Sequence, residues 1–200
     1  MDCHTPYKAT LKREPFMFFE MRVTAELLHK GLAEEDIIET VVRENLFQSP
    51  TEKTLKMRCR ACLRRLAHLD QEMIAWIVER PMDAARQVCL YAFMKESRLV
   101  CEFMVTVIGE KYRTLDYSYS RSDITKYMNR IQEQSETVAK WSECTIKGNA
   151  SAIGGLLKEV GYIDTPRSRK LNEIVIDYKL KDKLIEKGEE EILSAFNCFI

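Results

Sequence analysis

The chain has 200 residues, of which 46% are hydrophobic and 31% charged, and its 31 basic residues balance its 31 acidic ones. Such a composition predicts a packed core in one large domain or two small ones. The most apolar run, Leu99 to Ile108, is far shorter than the ~20 residues of a membrane-spanning helix, and no secretory signal is visible at the N-terminus. We therefore expect no membrane span and a cytoplasmic protein.

Helices should dominate, because the chain has only 7 Gly and 5 Pro and few clusters of β-branched residues. The prediction is a mainly α fold in four parts. These are an N-terminal arm over 1–14, a helix-turn-helix module over 15–69, a central helical core over 70–120, and a winged-helix-like module with a small β-hairpin and C-terminal helices over 121–200.

The N-terminal arm is polar and has no apolar period, and its cations Lys8, Lys12 and Arg13 make it a candidate DNA-binding arm. Apolar residues then recur at helical spacing from Phe16 to Leu28, which predicts a first helix that ends at Gly31. A second, short helix is predicted from about Glu34 to Asn45, with acidic residues in its first turn.

A basic helix is predicted between Ser49 and Leu66. Ser49 and Glu52 fit a capping box, and Pro50 fits the first helical position. Residues 51–66 carry six Lys or Arg against one Glu, whereas residues 31–46 carry five acids against one Arg. The apolar residues fall within about 100° of arc and the outward cations within about 80°. The apolar set is Leu55, Cys59, Cys62, Leu63 and Leu66, and the outward set is Lys53, Lys56, Arg60 and Arg64.

Three short helices with a basic third one indicate a helix-turn-helix, in which the third helix enters the major groove. The alternative is a solvated cationic face with no ligand. Cys59 and Cys62 form a Cys-x-x-Cys, which could indicate zinc or redox chemistry. Packing explains the pair better, because both sulfurs fall on the apolar face and no second such motif follows.

The middle of the chain, Asp70 to Arg113, is predicted to be an apolar helical core with a break at Pro81. Tyr112, Tyr117 and Tyr119 follow it. They could stack on nucleic acid, but tyrosines in such a turn more often pack against the protein.

The last third repeats the opening plan, with helices predicted over 122–134, 136–140 and 142–160. Tyr162 and Ile163 then face Leu171 to Ile176 across a basic loop, which predicts a hairpin and so a winged helix. Arg167, Arg169 and Lys170 in that loop would meet phosphates. Lys147 is the main cation of the last helix, whose glycines are unfavourable and favour a mainly structural role. After the hairpin, Asp177 should cap a C-terminal helix, and Phe196 and Phe199 in the apolar tail should dock.

Short motifs along nearly the whole chain resemble the BrxA proteins of BREX bacteriophage-defence systems. The motifs are Ala25 to Leu28 with Gly31, Glu44 to Gln48 with Thr51, Arg64 to Leu66, Leu90 to Lys95, Phe103, Glu110 to Tyr112, and Val138 to Glu143 with Thr145. The resemblance implies a small, non-enzymatic, mainly helical protein that has helix-turn-helix and winged-helix modules and binds double-stranded DNA. One departure from the family pattern is Gly148-Asn149, where a more basic helix is expected.

The leading prediction is therefore a double-stranded-DNA binder that uses phosphate contacts, with other BREX proteins as further partners. Its DNA-binding residues would be Thr51, Lys53, Lys56, Arg60, Arg64, Lys147, Arg167, Arg169 and Lys170. The alternative is a scaffold whose basic helix docks an acidic partner protein, and RNA binding is a weaker variant. His4, His29 and His68 lie apart, and no nucleophile or phosphate-loop motif occurs. We expect no enzyme activity, no cofactor, no metal and no small-molecule substrate.

Overall fold

The helical period of the apolar residues and the polar caps between them produce a chain that is mainly helical, as predicted. The computed structural model describes residues 6–200. Within that range the α-helices are α1 Phe18–His29, α2 Glu34–Arg43, α3 Glu52–Leu66, α4 Gln71–Glu79, α5 Met82–Glu96, α6 Arg98–Phe103, α7 Glu110–Arg113, α8 Arg121–Gln134, α9 Glu136–Ala139, α10 Glu143–Val160 and α11 Tyr178–Glu186. A π-helical segment, Met104–Gly109, joins α6 to α7, and a 3₁₀ segment, Glu190–Phe196, lies near the C-terminus.

Several predicted helix ends are confirmed, because each is set by a local signal. Pro81 separates α4 from α5. Gly161 ends α10 with a φ of 95°, a left-handed conformation that favours glycine. Asp177 caps α11, since its side chain accepts hydrogen bonds from the backbone amides of Lys179 and Leu180.

The chain divides into two compact units, Met17–Glu96 and Met1–Phe16 together with Ser97–Ile200. We call them the first unit and the second unit. This division differs from the sequence-based boundaries at 69 and 120. Helices α4 and α5 belong to the first unit because α4 packs on α1, and α5 packs on α3 and α4.

An apolar cluster that joins α1, α2 and α3 forms part of the core of the first unit. Phe47, in the connection between α2 and α3, is buried in this cluster. The same connection contains Asn45 and Gln48 at φ values of 47° and 49°. These two left-handed residues turn the chain tightly. The buried members of the cluster are Leu27, Ile37, Val41, Phe47, Leu55, Cys59 and Leu63.

In the second unit α10 packs on α8, and the 3₁₀ segment packs on the π-helical segment. Phe196 is fully buried, whereas Phe199 is 44% exposed, so only the first of the two tail phenylalanines is docked as predicted. Tyr112 and Tyr119 are buried. The Tyr112 hydroxyl donates to the carbonyl of Asn172 at 2.6 Å. These two tyrosines therefore pack inside the protein and offer no stacking surface.

The predicted β-hairpin is not confirmed. Residues 162–163 and 171–176 form no strand, although the amide of Asn172 donates to the carbonyl of Tyr162. Instead, Ser118 and Lys170 form an isolated antiparallel bridge. The amide of Leu171 donates to the carbonyl of Tyr117 at 2.7 Å. The end of the basic loop after α10 is thus anchored to the segment before α8. Backbone groups that a hairpin would have paired with each other are hydrogen-bonded to that segment instead.

The N-terminal residues that the structure describes are packed on the second unit. Leu11 is buried, and the Tyr7 hydroxyl donates to Glu102 at 2.5 Å. The Lys12 ammonium lies 3.7 Å from the Cys144 sulfur at the start of α10. The described part of the polar arm predicted over 1–14 thus packs against the rest of its unit, and residues 1–5, with Cys3 and His4, lie outside the described range.

Among residues 6–200 no helix has both the length and the hydropathy of a membrane-spanning segment.

Candidate nucleic-acid interface

Helix α3 begins two residues later than the capping-box prediction required. Its N-cap is Thr51, whose side chain accepts a hydrogen bond from the amide of Thr54 at 3.3 Å. The amide of Ser49 instead donates to the side chain of Asn45 at 2.9 Å. Ser49 therefore belongs to the turn before the helix. Thr51, predicted to contact DNA, has its hydroxyl engaged in the cap.

Helix α3 is buried over a wider arc than its apolar stripe predicted. Besides the predicted apolar positions, Ala61 and Arg65 are buried at 0% and 2% exposure. At 100° per residue the buried positions span about 200°. The helix is enclosed because α1, α2 and α5 all pack on it. The remaining arc presents α3 to solvent.

Two of the six cations of α3 are used inside the first unit. The Arg65 guanidinium lies over the Phe93 ring, 3.7 Å from its centroid, which is a close cation–π contact. Arg58 donates to the Glu20 carboxylate at 2.8 Å. Neither residue was among the predicted DNA contacts. These two arginines are part of the basic excess of residues 51–66, but they are used in contacts within the protein.

The four predicted cations are present on the solvent side. Lys53 and Arg60 are exposed, and within residues 6–200 neither side chain has a carboxylate partner. Lys56 pairs with Glu52 one turn earlier. Arg64 lies 3.5 Å from Glu96, with 47% of its side chain exposed. An exposed pair such as that of Lys56 with Glu52 contributes about 0–1 kcal/mol, so phosphate oxygens can compete for Lys56.

An acidic surface lies on the neighbouring helix. The first turn of α2 carries Glu34, Glu35 and Asp36, all exposed. These carboxylates are favourable at a helix N-terminus. The first unit thus presents an anionic helix, α2, and a cationic helix, α3, that pack on each other. The zero net charge of the whole chain conceals this local separation of charge.

Helix α10 of the second unit begins with the same arrangement as α3. Its N-cap Ser142 accepts from the amide of Thr145 at 3.2 Å. Lys147 pairs with Glu143 at 2.5 Å across one turn, and Lys147 lowers the pKa of that carboxyl. The chain therefore uses Thr-Glu-x-Thr-x-Lys for α3 and Ser-Glu-x-Thr-x-Lys for α10.

The remaining predicted cations are on the surface of the second unit. Arg167, Arg169 and Lys170 are exposed in the loop after α10, and within the described chain none has an ion-pair partner. Lys8, Lys12 and Arg13 are also exposed. The stem of Lys12 lies against Gly148, where an added Cβ would come within 2.7 Å of it.

The cysteines of the Cys-x-x-Cys are buried thiols. Burial raises the pKa of Cys59 to about 11 and that of Cys62 to about 12. Metal binding and redox exchange need the thiolate. No group of three or more potential metal ligands occurs among residues 6–200. Both sulfurs lie in the packed interior of the first unit, in keeping with the packing interpretation.

Comparison with known proteins decides the family. The sequence model of the BrxA family matches residues 5–188. The chain belongs to the BrxA family. A BREX protein BrxA from Bacillus cereus (strain H3081.97) is 32% identical over 82% of each chain. A second, from Escherichia coli O9:H4 (strain HS), is 26% identical over 90% of this chain and 84% of its own.

BrxA membership confirms the resemblance drawn from the sequence and implies a role in BREX phage defence. The fold is also that of a known structure. A crystal structure of an uncharacterized protein from Magnetospirillum magneticum superposes with a TM-score of 0.81 at 22% identity, covering 96% of this BrxA chain and 98% of the other.

The tertiary structure also assembles a polar cluster that the sequence did not reveal. In the second unit the Glu102 carboxylate accepts from Arg98 at 2.7 Å and from the Tyr7 hydroxyl at 2.5 Å. Arg130 of α8 donates to the Thr106 hydroxyl at 2.9 Å. The spacing of 98, 102 and 106 on one helical face was the available sequence signal, but it does not bring in Tyr7 or Arg130.

Proposed function

We propose that this BrxA-family protein is a non-enzymatic component of a BREX system that binds double-stranded DNA mainly through its phosphates. The observation that carries the proposal is the solvent side of α3, where Lys53, Lys56, Arg60 and Arg64 stand on a helix whose other side is locked into the core. A fixed row of cations can meet a duplex without reorganising the fold, and cations facing phosphates provide most of the non-specific affinity.

Helices α1, α2 and α3 would then act as a helix-turn-helix with α3 as the recognition helix. Supporting this, the three helices share one apolar cluster and α3 follows a tight turn closed by Asn45 and Ser49. In this arrangement the N-terminal turn of α3 would lie nearest the DNA. Thr51 would lie close to the DNA because it caps that turn, although its hydroxyl is already used by the cap.

Helices α8, α9 and α10, with the loop that follows, would form the winged-helix-like module. Lys147 would be its helix contact, and Arg167, Arg169 and Lys170 would contact phosphates from the loop. This wing would lack a hairpin and depend on the bridge between Ser118 and Lys170. The arm cations Lys8, Lys12 and Arg13 lie in the same unit and would add further phosphate contacts.

The electrostatic share of binding is the direct test of the proposal. If each of the four α3 cations meets one phosphate, they account for about −3.6 of the slope of log affinity against log salt, at about −0.9 per contact. We expect the variant with Lys53, Lys56, Arg60 and Arg64 all changed to Glu to lose this part of the slope and most of its affinity. Fluorescence anisotropy with a labelled duplex at several salt concentrations measures both.

The matched control reverses four lysines outside the proposed interface, three of them exposed and one, Lys181, partly buried: Lys126, Lys140, Lys181 and Lys187. It has the same net charge as the α3 variant, so a general electrostatic effect would weaken both equally. We expect the control to lose far less affinity, with circular dichroism unchanged in both variants. Equal losses, or unchanged binding by a folded α3 variant, would rule out α3 as the interface.

A second candidate function is a scaffold whose basic helix docks an acidic segment of another BREX protein. The observation in its favour is that Lys56 and Arg64 already pair with carboxylates. Hydrogen exchange of the protein mixed with duplex DNA, and separately with a purified BREX partner, distinguishes the two. Protection of residues 51–66 by the partner but not by DNA would establish the scaffold.

A further inference from the structure

A cavity of about 460 Å³ opens in the second unit where residues 6–7, α6, the π-helical segment and α8 meet. This volume is within the range of roughly 300–1,000 Å³ typical of small-molecule sites. Two guanidinium groups line it, Arg98 from α6 and Arg130 from α8. We propose that this cavity binds the phosphate group of a small phosphomonoester, such as a sugar phosphate, through these two arginines. None of the lining residues is among the proposed DNA contacts.

The charge of the lining favours an anion. Among residues 6–200, Glu102 is the one carboxylate that lines the cavity, and both of its oxygens already accept hydrogen bonds, from Arg98 and from Tyr7. Arg130 has no carboxylate partner within residues 6–200. The lining therefore has a net charge of about +1 with Arg130 uncompensated, and an anionic ligand would neutralise it.

Tyr7 contributes a neutral hydroxyl to the cavity. Its burial and the neighbouring Glu102 raise the pKa of Tyr7 to about 12. The phenol therefore stays protonated at neutral pH and keeps its hydrogen bond to Glu102. The Arg98 guanidinium also lies over the Tyr7 ring, 4.4 Å from its centroid. These contacts hold Arg98 in place before any ligand arrives, which lowers the entropy cost of binding.

The π-helical segment fixes the second arginine. Thr106 lies in this segment, and its hydroxyl donates to the carbonyl of Glu102 at 2.7 Å while accepting from Arg130 at 2.9 Å. One short chain of hydrogen bonds thus holds Arg130 to the helical turn that also holds Arg98. π-helical segments frequently occur at functional sites.

The polar lining favours phosphate over a carboxylate or an apolar ligand. Besides the charged groups, the cavity has Thr106, Gln134, Ser135 and Thr137, against Pro6 and Ile131 as its apolar members. A phosphomonoester has a charge of about −1.5 to −2 and three acceptor oxygens that point in different directions. Donors that come from two different helices and line one cavity suit such a group, whereas a carboxylate offers two coplanar oxygens.

Isothermal titration of the full chain with ribose 5-phosphate, and with ribose as the uncharged control, tests the proposal. We expect ribose 5-phosphate to bind with a Kd below about 1 mM and ribose to give no heat. Arg130→Gln should weaken binding by at least about tenfold, and Arg130→Lys, which keeps the charge, by less. Lys126→Gln removes a cation one turn earlier on α8, outside the cavity, and should leave the affinity unchanged.

The absence of ribose 5-phosphate binding would overturn the proposal, as would equal binding of ribose or an Arg130→Gln variant of unchanged affinity and unchanged circular dichroism. A DNA contact is distinguished by competition. If a duplex displaces ribose 5-phosphate from the α3 charge-reversal variant, the cavity contacts nucleic acid, and its assignment to a small ligand is wrong.

Discussion

Helices α3 and α10 begin alike and then diverge. Both have a hydroxyl N-cap bonded to the amide three residues later, a Glu at the first helical position and an ion pair across the first turn. Beyond that turn α3 continues with Arg60 and Arg64, whereas α10 continues with Gly148 and Asn149. The cap determines where a helix starts, and the residues after it determine what the helix can bind.

The surroundings of the two helices differ as well. Helix α3 is packed by three helices and keeps a cationic side in solvent, while the first turns of α10 are covered in part by the stem of Lys12. We therefore assign most of the proposed DNA affinity to α3.

The largest effect is expected from two neighbouring arginines of α3. Arg65→Ala removes a buried side chain from the Phe93 ring and should lower the free energy of unfolding by about 3 kcal/mol. Arg64→Ala, whose side chain is half exposed, should change it by less than about 1 kcal/mol but weaken DNA binding. Urea denaturation and DNA anisotropy on both variants measure this, and similar stability losses would contradict the burial of Arg65.

Single cations should contribute unequally to DNA binding. Arg60→Gln should reduce the salt slope by about 0.9, the value for one phosphate contact. Lys147→Gln should reduce it by less, because Lys147 already pairs with Glu143 on a helix with few other cations. An equal or larger reduction for Lys147 would move the principal interface to α10.

Removal of the caps should affect the two helices equally. Thr51→Ala and Ser142→Ala should each lower the free energy of unfolding by about 1 kcal/mol, because each leaves a helix N-terminal amide without its side-chain acceptor. Ser49→Ala is the control, and it should cost clearly less, since Ser49 lies outside the helix. If chemical denaturation shows a larger loss of stability for Ser49→Ala than for Thr51→Ala, Ser49 is the N-cap, as the capping-box prediction required.

Glycine limits α10 but not α3. Gly155→Ala should raise the free energy of unfolding by about 0.5–1 kcal/mol, because an added Cβ would meet no atom within 4 Å. DNA affinity should stay unchanged. Gly109→Ala should destabilise, since its Cβ would lie 2.8 Å from the Ser194 hydroxyl and 3.1 Å from backbone. Thermal melting checks both, and a destabilised Gly155→Ala would show that this position is packed.

The reactivity of single cysteines should differ between α3 and α10. At pH 8 the thiols of Cys59 and Cys62 should stay protonated and unmodified, because burial raises their pKa to about 11 and 12. Cys144 on α10 is exposed and should react with iodoacetamide. Peptide mass spectrometry after short labelling identifies the modified positions, and rapid alkylation of Cys59 in folded protein would contradict its burial.

Much of the helical framework was predictable, because helix ends depend on nearby residues. Asp177, Pro81 and Gly161 each act within one turn of their own position, and the structure places all three boundaries as expected. The Ser49 prediction failed for a local reason, since Asn45 competes for the Ser49 amide. The Ser49 amide could bond to Glu52 in a capping box or to Asn45 in the turn, and in the structure it bonds to Asn45.

The predicted hairpin depended on partners far along the chain. Residues near Leu171 had a strand-like pattern, but they found Tyr117 before α8 as a hydrogen-bond partner. A β-branched pattern shows that a segment can pair and does not show with what. For the same reason the meeting of Tyr7 with Glu102, 95 residues away, left no sequence signal.

The sequence by itself determined the mainly helical fold, the family and the row of cations on α3, because periodicity, capping and short motifs act over a few neighbouring residues. Only the tertiary structure decided which cations are available: Arg65 lies over the Phe93 ring, Arg58 pairs with Glu20, and Lys53 and Arg60 are exposed to solvent. Other contacts between distant segments, such as that of Tyr7 with Glu102, line the cavity of Arg98 and Arg130. Burial and pairing depend on what packs against a helix, and residues distant in sequence supply that packing.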